Sequence, residues 1–105
     1  MTSYARLLGL AASLLVAAVA QPQPSPEAIL RHAVDLHQAG DIPGAIAEYR
    51  AYLKQAPKSV MARSNLGAAL SKSGRYEAAI VEYRQALELE PRNLPVRVKI
   101  GRAHV

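Results

Sequence analysis

Cysteine is absent from this 105-residue chain. That excludes disulfides, thiolate metal sites and cysteine nucleophiles, and it leaves the redox compartment undetermined. There is no glycine-rich phosphate loop, no zinc-ligand spacing and no nucleophile elbow. Histidine is scarce. His32 and His37 stand five apart, where a helical metal pair prefers four. They read as solvated or half-packed side chains, so no metal, no cofactor and no catalytic residue is expected. Acidic residues are outnumbered, 8 against 13 lysines and arginines, and the formal charge is +5. A charge of that size aids solubility and attracts anions weakly. The bases are scattered among carboxylates, which is not the footprint of a nucleic-acid reader. Half of the residues are hydrophobic and a fifth charged, a globular composition with room for one small domain.

Residues 1–20, MTSYARLLGLAASLLVAAVA, carry one charge, Arg6, and then an uncharged run from Leu7 to Ala20. The run ends in Ala18-Val19-Ala20, with small residues at the positions a signal peptidase reads. This is the pattern of a secretory signal peptide. An uncleaved anchor is the alternative, although the run is shorter than the ~20 residues that span a bilayer. Cleavage after Ala20 would leave positions 21–105 and remove the single positive charge of Arg6. The expected location is therefore periplasmic or secreted, with membrane contact only through this segment if it stays attached. Residues 21–25 form a proline-rich linker. Ser25 then caps a helix, Pro26 suits its first position, and Glu27 meets the positive end of its dipole.

Slid against itself so that Leu36 falls on Leu70, the chain matches in register over a whole unit. In the same register Gly40 meets Gly74, and Ala45-Ile46 meets Ala79-Ile80. Glu48-Tyr49-Arg50 meets Glu82-Tyr83-Arg84, Leu53 meets Leu87, and Pro57 meets Pro91. Each unit reads as helix, turn, helix. In the second, Ser59 caps a helix over about 60–72, Gly74 ends it, and a second helix runs over about 76–89 until Pro91. The apolar stripe of that second helix is Tyr76, Ala79, Ile80, Tyr83, Ala86 and Leu87, at helical spacing. In the first unit a helix over about 26–38 ends at Gly40. Asp41 caps the next, whose buried stripe is Ala45, Ile46, Tyr49, Tyr52 and Leu53. The tyrosines read as core, and Glu48 and Glu82 as a solvated face.

NLGAALSKSGRYEAAIVEYRQALELEP, residues 65–91, resembles a tetratricopeptide repeat. The resemblance is carried by Leu66-Gly67, Leu70, Gly74, Tyr76, Ala79, Tyr83, Ala86-Leu87 and Pro91. The earlier unit resembles it through Ala33, Leu36, Gly40, Ala45, Tyr49, Leu53 and Pro57. It departs at His32, Ile42 and Tyr52, so it is the degenerate copy. The resemblance implies an all-α superhelix of antiparallel helix pairs. Its units would be residues 26–59 and 60–93, with a third starting at 94–99 behind an Asn93 cap. It also implies a concave groove that grips a peptide segment of another protein, lined by the first helix of each unit. The groove positions are Leu30, Arg31, Val34 and His37 on the first unit, and Met61, Ser64, Asn65, Ala68 and Lys72 on the second. The expected protein is an exported interaction scaffold without catalysis. The alternative is an N-terminal adaptor of a longer enzyme or envelope assembly factor. Self-association through the last repeat face is a third possibility.

Residues 100–105, IGRAHV, read back into codons as ATC GGA AGA GCA CAC GTC, which resembles a short-read sequencing adapter. The expectation is a sequencing scar, extending to Lys99 in the wider version, with further repeats in the natural protein; a genuine short helix is the alternative. Those six codons in the source nucleotides are the expected outcome, and different codons would refute it.

Overall fold

The computed structural model describes residues 22–103. The expected signal segment, residues 1–20, lies outside the described residues, as do Gln21 and the last two positions of the suspected scar. Among the described residues there are five helices and no strand. They are α1 (Pro26–Ala39), α2 (Ile42–Gln55), α3 (Val60–Lys72), α4 (Tyr76–Leu89) and α5 (Leu94–Ala103). α3 and α4 occupy the expected ranges, and α1 ends at Ala39, just past the expected bound. α5 continues without a break through Ile100–Ala103.

The helix ends are set by short-range chemistry. Ser25 Oγ accepts the Ala28 N–H at 3.2 Å, and Ser59 Oγ accepts the Ala62 N–H at 3.2 Å. Asp41 Oδ1 caps α2 through the Gly44 N–H at 3.1 Å, and Asn93 Oδ1 caps α5 through the Val96 N–H at 3.2 Å. Each such bond satisfies a donor that the first helical turn leaves unpaired. The exits from α1 and α3 are copies of one another. Gly40 and Gly74 take left-handed φ values of 87° and 79°. The next residue then donates back to the leucine five before it, Asp41 to Leu36 O and Arg75 to Leu70 O, both at 2.9 Å. Only glycine takes this conformation without a steric penalty.

α1 packs antiparallel on α2, α3 on α4, and the pairs stack through α2–α3 and α4–α5. Small residues make the close approach possible. Ala33, Ala45, Ala62, Ala69, Ala79 and Ala86 have no exposed surface. Tyr49, Leu66, Leu70 and Tyr83 fill the space between them. The tightest contact is at Gly67. A Cβ built there would stand 2.5 Å from Tyr83 Cε1 and 2.7 Å from Cδ1. Burial of each large apolar side chain stabilises by about 1.5–3 kcal/mol, so this seam is the main source of cohesion.

Three expectations need correction. Tyr76 is half exposed at the start of α4, because α5 covers only part of its ring. Tyr52 and Leu87 are only partly buried against the core. Glu82 does not lie on a solvated face. Its carboxylate meets Arg63 Nη1 at 3.0 Å, with both side chains less than a fifth exposed. Arg63 also donates to Gln85 Oε1 and, through Nε at 2.9 Å, to the Pro57 carbonyl. Arg97, one repeat later, makes the same carbonyl bond to Pro91 at 3.2 Å.

Gly67→Ala is expected to lose about 1–3 kcal/mol, since the added methyl must displace the Tyr83 ring in a packed seam. Urea unfolding followed by circular dichroism measures it; an unchanged midpoint would show that the ring can give way.

Candidate functional site

α1, α3 and α5 are the first helices of successive units. Leu30, Arg31 and Val34 of α1 fall in register with Ser64, Asn65 and Ala68 of α3. The expected groove positions on α3 are Met61, Ser64, Asn65, Ala68 and Lys72. An open cleft of about 340 Å³ runs between α3 and α5 and is lined by Met61, Ser64, Asn65, Pro95, Val96 and Lys99 among others. Next to it a hollow of about 210 Å³ is bounded by Ala68, Ser71, Tyr83, Lys99 and Arg102. Lys99 borders both, so four of the five expected α3 positions lie along one trough. Met61 is 57% exposed, and Asn65 makes no side-chain hydrogen bond among the described residues. Ser64 is different. It is buried, and Lys99 Nζ donates to its hydroxyl at 2.9 Å.

On α1, Arg31 is exposed. Leu30 and Val34 are half-buried and pack against the core, so they offer apolar floor rather than projecting groups. His37 is half-buried. Its Nδ1 lies 3.1 Å from the Tyr49 hydroxyl, and the two rings meet edge-on with centroids 5.9 Å apart. Burial lowers the His37 pKa below the ordinary histidine value, and the Lys72 ammonium lowers it further.

The two tyrosine hydroxyls are handled in parallel ways. Tyr49 meets His37, and its counterpart in the next unit, Tyr83, faces Ser71. Burial raises both phenol pKa values, and Ser71 offsets part of the rise at Tyr83. Ser71 Oγ is nonetheless buried without a hydrogen bond of good geometry. His32 Nδ1 lies 3.2 Å from Glu48 on the adjacent α2. Spacing along the chain could not reveal either histidine pairing, because each joins two helices. The Arg63 pairing had one visible sign: Arg63 and Arg97 each stand six residues after a proline, one period apart.

A wider hollow, about 600 Å³, lies elsewhere, around the Gly74 turn and the start of α4. It is a broad dent shaped by that turn. Among the described residues no three His, Asp or Glu gather as a metal site. No described helix is long and apolar enough to cross a membrane.

Antiparallel helix pairs stacked in register, with their first helices along an open trough, define an α-helical repeat protein. Residues 60–93 match the family model of the tetratricopeptide repeat, which supports a protein of that family. Repeats of this family serve as protein–protein interaction modules and are typically non-catalytic. No curated protein matches the chain.

Because His37 has a lowered pKa in the folded chain, the unfolded chain binds more protons between that value and about 6.5. The stability linked to His37 is therefore fully present above pH ~6.5 and is lost as pH falls through the lowered folded value. Denaturant unfolding at several pH values is expected to show this loss in the native chain and a smaller one in His37→Gln. Equal losses in both would exclude His37 as the source.

Proposed function

We propose that this protein is an exported scaffold that docks an extended segment of a partner protein in the trough along α1 and α3, with no covalent step. One observation carries the reading. Met61 stands open on α3 and Asn65, half-buried beside it, has an unused amide, both lining one cleft. An amide in that place can pair with the backbone of an extended peptide, and Met61 can adapt to varied apolar side chains. The half-buried Leu30, Val34 and Ala68 supply further apolar contact. Arg31 and Lys72 favour an electronegative segment. Val81, exposed on the outer surface of α4, lines neither the cleft nor the hollow beside it.

Export is supported by the leader pattern in residues 1–20: a single early arginine, a short apolar run and small residues before Gln21. Residues 22–25, exposed and outside any helix, would separate the first helix from the point of cleavage.

A photo-crosslinking residue tests the groove. Placed at Met61 in the producing cell, it is expected to yield a covalent adduct with a partner polypeptide, recovered outside the cytoplasm on a chain starting at Gln21. The same residue at Val81 is expected to yield none. Adducts at Val81 but not at Met61 would move the binding face, and a chain retaining its leader inside the cell would refute export.

A further inference from the structure

We infer that the hollow bounded by Ala68, Ser71, Tyr76, Tyr83, Lys99 and Arg102 is a subsite for one aromatic side chain of the docked segment. The inference rests on the groove reading above and adds the chemistry of the occupant.

The first unit shows what fills the corresponding place. One period earlier, in register, Val34 stands for Ala68, His37 for Ser71 and Tyr49 for Tyr83. There the His37 ring comes off α1 and meets the Tyr49 ring edge-on, with centroids 5.9 Å apart and Nδ1 3.1 Å from the hydroxyl. The space beside that tyrosine is thus taken by an aromatic ring of the chain itself. In the second unit a serine replaces the histidine and an alanine replaces the valine, and both changes remove volume. Tyr83 stays buried, and a hollow of about 210 Å³ lies next to it. Ser71 does not restore the lost contact, since its Oγ is buried without a hydrogen bond of good geometry.

Size and walls agree with a single ring. A cavity of about 150 Å³ admits benzene, whereas drug-sized ligands need about 300 Å³ or more. Ala68 and Ala103 contribute apolar surface, and Tyr76, half exposed at the start of α4, contributes a second ring. Aromatic rings favour edge-on or offset contact with one another, as His37 and Tyr49 already show. Ala68, Ser71, Tyr76 and Tyr83 all lie within residues 60–93, so these walls do not depend on the suspected scar.

The border of the hollow differs from the first unit in charge. Where the first unit has Asn65 and Ala68 on the following helix, the second has Lys99 and Arg102 on α5. Lys99 is held in place by its bond to Ser64 Oγ at 2.9 Å. A cation is attracted to the negative face of an aromatic ring and gains nothing comparable from an aliphatic side chain. The occupant is therefore aromatic rather than merely apolar. Lys99 borders both this hollow and the cleft lined by Met61 and Asn65, so a segment lying in the cleft can insert a side chain here.

The test uses the full chain and fluorescein-labelled peptides blocked at both ends. The host is alanine, serine and valine, with phenylalanine, cyclohexylalanine or alanine at the centre, and fluorescence anisotropy gives the affinities. The phenylalanine peptide is expected to bind about tenfold more tightly than the alanine peptide. It is expected to bind about fivefold more tightly than the cyclohexylalanine peptide, which has the ring size without the π face. Ser71→His copies the first unit and is expected to fill the hollow, bringing the phenylalanine peptide down to the alanine peptide; circular dichroism establishes that the variant is folded. Lys99→Met is expected to remove the preference over cyclohexylalanine and to keep that over alanine. Equal binding of the phenylalanine and alanine peptides to the native chain, or binding of none, overturns this inference, and the groove reading is then decided by the crosslink at Met61. Cyclohexylalanine that matches or exceeds phenylalanine overturns the aromatic assignment. A phenylalanine preference that survives in folded Ser71→His overturns the placement of the subsite.

Discussion

The Tyr83 ring rests directly on the backbone of α3 at Gly67, closer than any side chain there would allow. That contact decides how near α3 and α4 can come. With Ala62, Ala69, Ala79 and Ala86 fully buried around it, the two helices pack through small residues, and larger ones fill the margins. The pair is then rigid enough to hold the outer strip of α3 in one place. Met61, Asn65 and Lys72 owe their common orientation to this seam on the opposite side of their helix. The first unit solves the same problem differently. Ala33 stands where Gly67 does, and Tyr49 turns its hydroxyl to His37. Degeneracy in that unit is thus the place where a polar contact replaces part of the packing.

Between the pairs the chain is steered by repeated backbone geometry. The left-handed glycines close α1 and α3, and prolines follow α2 and α4. The bonds from Ala56 to Tyr52 O and from Glu90 to Ala86 O, both 2.9 Å, recur one period apart. Arg63 ties the two levels together. It reads the Pro57 carbonyl in the turn and the Glu82 carboxylate on α4, so it links the stacking of one unit to the internal packing of the next. A guanidinium suits this role because its fork can donate in several directions at once. The half-buried pair contributes through hydrogen bonding as much as through charge. The outer strip of α3 and its stacking surface are consequently on different sides of the same helix, so the strip can vary without loosening the stack.

Much of this architecture is legible in the sequence. The repeat period, the glycines at 40 and 74, the caps at Ser25, Asp41, Ser59 and Asn93, and the bounds of α3 and α4 are all local signals. Tyr76 escapes the spacing argument because its position on the first turn of α4 leaves half the ring beyond the neighbouring helix. Glu82 escapes it because its partner, Arg63, lies on another helix. Among the expected groove positions, Met61 is exposed and Asn65 half-buried, whereas Ser64 is covered by a lysine from α5. Register gives the side of a helix a residue occupies. It does not tell what reaches over from the next one.

The sequence by itself determined the helices, their ends and their repetition, because capping, glycine conformation and apolar spacing act within a few residues of one another. It also determined which chemistries are missing, since residue types and motifs can simply be counted. Only the tertiary structure decided which side chains share an environment. His37 with Tyr49, Arg63 with Glu82, and Gly67 with Tyr83 each join separate helices. Their meeting depends on the angle and depth of helix packing, which no local pattern encodes.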